Sequence, residues 1–198
     1  HYLLHRTYAV QAGDTILVHA AAGGMGLILC QWAKALGAKV VGTVSTHEKA
    51  EVARAAGCHY PVVRSEKSFV DVVREVTDGE GCAVVYEAIG KDTLQHSLDS
   101  LRPMGVCAAY GHVSGPPDPV DIIQDLGRRG SLFITRPAIM HYVAKRADLE
   151  WTARDLFKAI GDGLLEANIN YEYALKDAVK AHEAIESGKT LGATVLIP

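Results

Sequence analysis

The sequence predicts an α/β fold in which a parallel β-sheet is covered by helices on both faces. Six apolar runs alternate with helical patterns between positions 13 and 141. Most of these runs are uniformly apolar, which is typical of strands buried on both faces. A glycine-rich turn, Gly23-Gly24-Met25-Gly26, joins the first run to the first helical pattern. Together these features predict a Rossmann-type doubly wound sheet of six strands.

The individual elements follow from local patterns and boundary residues. Ser68 is a candidate N-cap, and Gly57 a candidate C-cap. Arg102-Pro103-Met104-Gly105 has the composition of a turn, and the proline-rich stretch 112–118 that of a loop. The predicted strands are Thr15–Ala20, Lys39–Val44, Tyr60–Val63, Ala83–Ala88, Val106–Gly111 and Ser131–Thr135. The predicted helices are Leu27–Ala35, Glu48–Ala56, Ser68–Thr77, Thr93–Leu101 and Val120–Leu126.

The C-terminal part of the chain differs in character from the sheet-forming part. Tyr142–Gly163 is amphipathic over one long helix or two joined helices, with Leu149, Trp151, Leu156, Phe157 and Ile160 as apolar anchors. A strand (Tyr171–Leu175), a helix (Lys176–Ser187) and a strand (Ala193–Ile197) follow, and they do not continue the strand–helix alternation. The chain begins at a histidine without a cap or turn signal, so we expect a fragment of a longer polypeptide. The expected divisions are 1–12, 13–141 and 142–198.

Composition excludes several functional classes. The chain has 198 residues and a net charge of −3, which argues against nucleic-acid binding. No apolar run approaches the roughly 18 residues of a membrane span, and no signal peptide is visible. The four cysteines show no metal-binding spacing, so we expect no structural zinc, no disulfide and a cytoplasmic location.

The glycine turn is the strongest indication of chemistry. It follows the pattern G-x-G-x-x-G with Ala21 in place of the first glycine. Gly23 stands where backbone approaches a pyrophosphate, and Gly26 where helix and strand pack closely. Because a strand precedes the turn and a helix follows it, a dinucleotide site is favoured. A methyltransferase that uses S-adenosylmethionine, whose fold also opens with a glycine-rich loop, is the alternative.

The end of the second strand indicates which dinucleotide is bound. A carboxylate at that position favours NAD, but here Ser45 and Thr46 supply hydroxyls and Lys49 an ammonium one helical turn later. This combination favours NADP(H), with Glu48 expected to point to solvent. Arg64, after the third strand, is a candidate second cation. For Lys49 and Arg64 the alternative is an ordinary solvated side chain.

The ends of the fourth and fifth strands are also expected to line the site, since ligands lie at the carboxyl ends of parallel strands. Ile89 is expected beside adenosine or ribose, and Gly111, His112, Val113 and Ser114 at the nicotinamide end. His112 is a candidate proton-transfer residue, although an exposed positional histidine is the commoner outcome. Glu87, near the end of its strand, has no carboxylate or histidine partner visible in the sequence.

At these residues the sequence resembles a known family. The segments VHAAAGGMG (18–26), CQWAKALGAK (30–39), YEAIG (86–90), GSLFITRP (130–137) and LIP (196–198) are similar to the zinc-free quinone oxidoreductases of the medium-chain dehydrogenase/reductase superfamily. The bacterial NADPH:quinone reductases are the nearest in pattern.

The resemblance implies a two-domain subunit with NADPH as cofactor, no metal and a quinone as substrate. The segments 1–12 and 142–198 would belong to a GroES-like catalytic domain that is mostly absent here. Gly24 and Met25 would meet the pyrophosphate, and Lys189 would add a cation to the adenosine 2′-phosphate. A homodimer through the sixth strand is implied as well. An enone or alkenal double-bond reductase, and a cofactor-binding module without enzymatic activity, remain as alternatives.

Overall fold

The computed structural model describes residues 1–167 and 169–198; position 168, within the predicted segment 142–198, lies outside the described residues. The strands are β1 (Thr15–Val18), β2 (Lys39–Val44), β3 (Tyr60–Val63), β4 (Cys82–Glu87), β5 (Leu101–Ala109), β6 (Phe133–Thr135), β7 (Ile169–Ala174) and β8 (Ala193–Ile197). The described part of the chain forms a six-stranded parallel sheet in the order β3-β2-β1-β4-β5-β6 and a separate pair, β7-β8. This confirms the predicted Rossmann-type sheet.

Helices cover both faces of the large sheet. They are α1 (Gly24–Ala35), α2 (His47–Ala55), α3 (Phe69–Val76), α4 (Leu94–Asp99), α5 (Ile139–Tyr142), α6 (Arg146–Gly161) and α7 (Ala178–Glu186). Ile16 and Val18 of β1 pack in the cluster that contains α1, whereas Leu17 packs in the cluster that contains α3 and α4. This alternation follows from the two-residue period of a strand and gives the sheet an apolar core on each side.

The strand order determines where a ligand can bind. β1 lies between β2 and β4, and the connection after β1 leads to one side of the sheet while that after β3 leads to the other. Such a reversal opens a crevice at the carboxyl ends of the strands. The glycine turn follows β1 directly and therefore lies at that crevice.

Two local predictions are wrong. Arg102–Gly105 is not a turn, because β5 already begins at Leu101 and continues through these residues. Pairing jumps from Leu101 opposite Cys82 to Val106 opposite Val84, so the extra residues are accommodated as an irregularity within the strand. The predicted helix Val120–Leu126 is a π-helical segment, Ile122–Gly127, and two further short segments, Leu3–Thr7 and Leu175–Asp177, are π-helical and 3₁₀.

The C-terminal part resolves into two helices, α5 and α6, followed by β7, α7 and β8. The last three elements have the predicted strand–helix–strand order, and their two strands pair in parallel in a sheet separate from the large one. The residues expected as apolar anchors differ in burial. Leu156 packs against the core of the sheet, and Trp151, 40% exposed, packs edge-on against the His1 ring. Leu149, Phe157 and Ile160 are 45%, 69% and 44% exposed. No helix in the described part of the chain is long and apolar enough to cross a membrane.

Candidate functional site

The glycine turn connects β1 to α1 through a tight backbone reversal. Ala20 adopts a positive φ of 51°, and the Gly23 N–H donates to the Ala20 carbonyl at 2.9 Å. Gly23 is the N-cap of α1, with extended backbone angles and no side chain over the helix end. The first N–H groups of the helix therefore point to the crevice without a side-chain cap, which suits an anion.

Close packing explains the glycines of this turn. A Cβ at Gly26 would lie 2.2 Å from the Ala20 carbonyl oxygen and 2.7 Å from the Ala21 Cα, so only glycine fits. Ala21, where the motif has its first glycine, is fully buried. Its methyl group is tolerated because Gly42 of β2 faces it, and a Cβ there would approach the Ala21 Cβ to 2.7 Å. A glycine on β2 thus accommodates the alanine in the turn after β1.

A cleft of about 880 Å³ runs along the carboxyl ends of the strands beside this turn. It brings together nine residues predicted from the sequence: Gly23, Gly24, Ser45, Thr46, Lys49, Arg64, Ile89, Val113 and Lys189. The predicted residues that do not line it are Met25, Gly26, Gly111, His112 and Ser114. Met25 is 49% exposed in the first turn of α1.

One end of the cleft carries three cations. Lys49 of α2 is half-buried, and its Nζ donates to the Gly188 carbonyl at 2.5 Å. Because an ammonium has three donors, two remain for a ligand. Arg64 and Lys189 line the same region. Glu48, expected to point to solvent, is exposed but also lines the cleft, and its carboxylate opposes the positive charge.

The two hydroxyls at this end have different environments. The Thr46 Oγ1 accepts the Lys49 N–H at 3.2 Å and so caps α2. Its proton remains available to a ligand oxygen. Ser45 is exposed at the tip of β2.

A segment near the C-terminus closes the cleft, and sequence reasoning identified only Lys189 in it. Gly192 bridges Gly23 in parallel fashion, and its N–H donates to the Ala22 carbonyl at 3.0 Å. Ser187, Gly188, Thr190 and Leu191 line the cleft as well. These contacts join positions about 170 residues apart in the chain, so no local pattern could have revealed them.

At the expected nicotinamide end, the predicted residues make contacts with neighbouring loops. The Ser114 hydroxyl donates to the Ile89 carbonyl at 2.8 Å and accepts the Asp92 N–H at 3.0 Å, so it joins the loops after β4 and β5 instead of facing the cleft. A Cβ at Gly111 would lie 2.6 Å from the Ala88 carbonyl oxygen. The exposed His112 accepts a hydrogen bond from Arg136 at its Nδ1, 3.3 Å away.

Directly below the cleft lies a buried polar network that sequence reasoning missed. Glu87, for which no partner was expected, is fully buried 3.3 Å from Nε2 of the fully buried His19. The Ser97 hydroxyl lies 2.8 Å from that Nε2 and 2.5 Å from Glu87 Oε2. The expectation failed because His19, directly after β1, and Glu87, at the end of the neighbouring β4, are far apart in the chain. The sequence did offer one indication of a partner: Glu87 ends an otherwise apolar strand, and a charged residue is almost never buried without a partner.

The environment separates the protonation states of these two residues. Burial lowers the pKa of His19 to about 4, despite the opposing effect of the Glu87 charge. Burial would raise the pKa of Glu87, but the His19 ring, the Ser97 hydroxyl and the Ile89 and Gly90 N–H groups hold it below its usual value. At neutral pH the pair is a neutral imidazole beside a carboxylate.

The cysteines of the described part of the chain are held as thiols. All four cysteines are buried, and burial raises the pKa of Cys82 to about 12. No group of three or more His, Cys, Asp or Glu side chains among the described residues is arranged to hold a metal ion.

The fold is that of a Rossmann-type α/β domain with a cleft at the carboxyl ends of its strands, and comparison with known proteins specifies it further. Residues 24–150 match the family model described as zinc-binding dehydrogenase. Because this match covers more than half of the sequence, the chain belongs to that family. The resemblance to quinone oxidoreductases noted in the sequence is confirmed.

Individual relatives cover the whole chain. It is 53% identical over 197 residues to a 2-haloacrylate reductase of a Burkholderia species, matching 100% of the chain and 59% of that protein. It is 45% identical to a quinone oxidoreductase of Salmonella typhimurium, matching 100% of the chain and 61% of that protein. The crystal structure of Escherichia coli quinone oxidoreductase complexed with NADPH superimposes with a TM-score of 0.95 at 42% identity, over 100% of this chain and 61% of that one. The chain thus spans less than two thirds of these relatives.

Proposed function

We propose that this chain binds NADPH and forms the cofactor-binding part of an oxidoreductase that transfers hydride to a quinone. The observation that carries the proposal is the cleft itself. A glycine turn with an uncapped helix start lies at its centre, and Lys49, Arg64 and Lys189 lie at one end. Backbone N–H groups suit a pyrophosphate, and hydroxyls with cations suit a 2′-phosphate.

The residues present fit this cofactor. Glycines at positions 23 and 24 leave the space beside the helix start that side chains would fill, and the Gly188–Gly192 segment encloses it from the other side. The bound nicotinamide would supply the hydride. The chain itself would bind and orient NADPH. The start of α1 would hold the pyrophosphate, and the tips of β2 and β3 would hold the ribose that carries the 2′-phosphate. Ile89 and Val113 border the opposite part of the cleft and would limit access of water.

The acceptor has a second candidate from the same reaction class. The relative that is 53% identical is a 2-haloacrylate reductase. This similarity supports an activated carbon–carbon double bond as the alternative acceptor. A panel of quinones and enones in steady-state assays would separate the two. Family membership gives no support to the methyltransferase alternative. A binding module without enzymatic activity would bind NADPH and reduce neither class of acceptor.

The whole protein is proposed to contain more than this chain. Segments 1–12 and 142–198 would belong to a second domain that carries most of the substrate pocket. Two copies would pair through β6, the edge strand, where Phe133 is 61% exposed. Pairing would cover an apolar sheet edge that otherwise invites aggregation.

Titration with NADPH and NADH tests the cofactor proposal. We expect NADPH to bind more tightly, and Lys49→Ala to weaken NADPH binding by about tenfold while changing NADH binding little, because one charge contact to the 2′-phosphate is lost. Lys158→Ala, which removes an equal charge paired with Asp162 on α6, is the control and should leave both affinities unchanged. Tighter binding of NADH, or an unaltered NADPH affinity in Lys49→Ala, would refute the assignment.

A further inference from the structure

The buried network below the cleft has no part in holding a ligand directly, yet it joins the elements that do. We propose that Glu87 and His19 are positioning residues that fix the spacing between the β2 tip and the loop after β4, and thereby the affinity for NADPH; this rests on the proposed function. Neither Glu87 nor His19 lines the cleft. Each is hydrogen-bonded to a residue that does: Glu87 to Ile89, and His19 to Thr43.

On the β4 side, the link runs through backbone. Glu87 Oε1 accepts the Ile89 N–H at 2.6 Å and the Gly90 N–H at 3.1 Å. Ile89 lines the cleft. Gly90 has a φ of +93°, and a Cβ on it would lie 2.6 Å from the Gly115 carbonyl oxygen, so this loop packs directly on the loop after β5. The carboxylate of Glu87 therefore sets the path of both loops.

On the β2 side, the link runs through a side chain. His19 Nδ1 lies 2.9 Å from the Thr43 Oγ1, and Thr43 lines the cleft directly before Val44 and Ser45. His19 itself follows β1 and packs edge-on against Phe69, with 5.0 Å between ring centroids. Thr93 and Ser97 of the α4 region complete the set by donating to the carboxylate of Glu87. The ends of β1, β2 and β4 and the start of α4 are thus joined by one chain of buried hydrogen bonds.

The direction of these hydrogen bonds follows from the charge of Glu87. An ionised carboxylate only accepts, so the Ser97 hydroxyl donates to it. The Ser97 oxygen then accepts from His19 Nε2–H, and Nδ1 accepts from the Thr43 hydroxyl. The network consequently assigns the Nε2–H tautomer to His19, with the Thr43 proton directed inward and away from the cleft.

Replacing the carboxylate by an amide reverses this chain without breaking it. In Glu87→Gln the amide NH₂ donates to Ser97, Ser97 donates to Nε2, and Nδ1–H donates to Thr43, while the amide oxygen still accepts from Ile89 and Gly90. Glu87→Ala removes the acceptor altogether. The two variants therefore separate loss of positioning from loss of charge.

The test combines the Kd for NADPH with ¹⁵N NMR of the His19 ring and thermal unfolding. We expect Glu87→Ala to weaken NADPH binding by about tenfold, since a loosened supporting layer misplaces binding groups by a fraction of an ångström to one ångström. Glu87→Gln should bind within about threefold of the wild type and show the Nδ1–H tautomer. Ser97→Ala, which interrupts the chain at a residue outside the cleft, should weaken binding several-fold and serves if Glu87→Ala does not fold.

The control is Val73→Ala, which removes a buried core side chain of α3 that makes none of the network's hydrogen bonds and does not line the cleft. All affinities are measured well below the melting temperature of each variant, and Val73→Ala should keep the wild-type Kd. Wild-type affinity in both Glu87→Ala and Ser97→Ala, an equal loss in Val73→Ala, or an unchanged tautomer in Glu87→Gln would overturn the proposal. A wild-type chain that does not bind NADPH would instead refute the proposed function, and the tautomer measurement would still test the network.

Discussion

Gly26 is the residue where the turn has least room for change. The Cβ of an alanine would lie 2.2 Å from the backbone oxygen of Ala20, which cannot move without displacing the end of β1. We expect Gly26→Ala to lower the free energy of unfolding by about 3 kcal/mol and to weaken NADPH binding. Urea unfolding measures the first effect and fluorescence titration the second.

Gly161 provides the matched control. It is the last residue of α6, and a Cβ there would meet nothing within 4 Å. Gly161→Ala should therefore be neutral or stabilise the chain by up to about 1 kcal/mol. Equal stability of Gly26→Ala and Gly161→Ala would mean that α1 does not approach the Ala20–Ala21 backbone as closely at Gly26 as the structure shows.

Single residues also show which parts of the site a sequence can reveal. The glycines and the hydroxyls at the β2 tip stand at fixed distances from a strand end, so the pattern located them in one cleft. The tolerance for Ala21 could not be read in this way, because it depends on Gly42 in the neighbouring strand. Ser114 carries a hydroxyl that could contact a ligand. In the structure that hydroxyl donates to the Ile89 carbonyl and accepts the Asp92 N–H.

At the scale of elements, the network that joins β1, β2, β4 and α4 predicts acid sensitivity. His19 has a pKa of about 4 in the folded chain against the usual 6.5. The unfolded chain therefore binds more protons between these values, and the unfolding free energy falls as pH is lowered from 6.5 towards 4, by up to about 3 kcal/mol. The lowered pKa of Glu87 adds a loss in the same direction below its usual range.

Urea unfolding at a series of pH values measures this slope. His19→Gln should flatten the dependence between pH 6.5 and 4. His47→Gln, which removes an exposed histidine paired with Glu66 at 2.8 Å, should retain the wild-type slope. A wild-type chain with constant stability from pH 6.5 to 4.5 would contradict the assignment of a neutral, buried His19.

Predictions of helices and strands were accurate where they depend on neighbouring residues, and less accurate where they depend on contacts between distant segments. Ser68 caps α3 through its Oγ and the Asp71 N–H, and Gly57 ends α2 with a φ of +100°, both as local patterns indicate. The error at Arg102–Gly105 arose because proline and glycine were read as a turn, whereas the flanking residues Leu101 and Val106 both pair with β4 and keep the chain within the strand. Strand order likewise depends on contacts between distant segments, so the sequence pattern predicted the class of sheet and the structure supplies the order.

At the scale of the whole molecule, several large apolar side chains on the C-terminal helices are exposed to solvent. Phe157 and Val179 on the helices α6 and α7 are 69% and 71% exposed, although their spacing is that of buried helix faces. The residues beside the expected nicotinamide end are equally open, with Val113 exposed by 85%. These surfaces are consistent with the proposal that a second domain covers the substrate side.

That openness leads to a prediction about turnover. Hydride transfer needs an acceptor held against the nicotinamide and shielded from water, and the described residues supply the donor site but no wall opposite it. We expect the chain to bind NADPH yet to oxidise it with 1,4-benzoquinone at close to the uncatalysed rate, as followed by absorbance at 340 nm. Escherichia coli quinone oxidoreductase under the same conditions is the positive control. Turnover comparable to that enzyme would show that 198 residues suffice for both halves of the reaction, and the two-domain proposal would have to be abandoned.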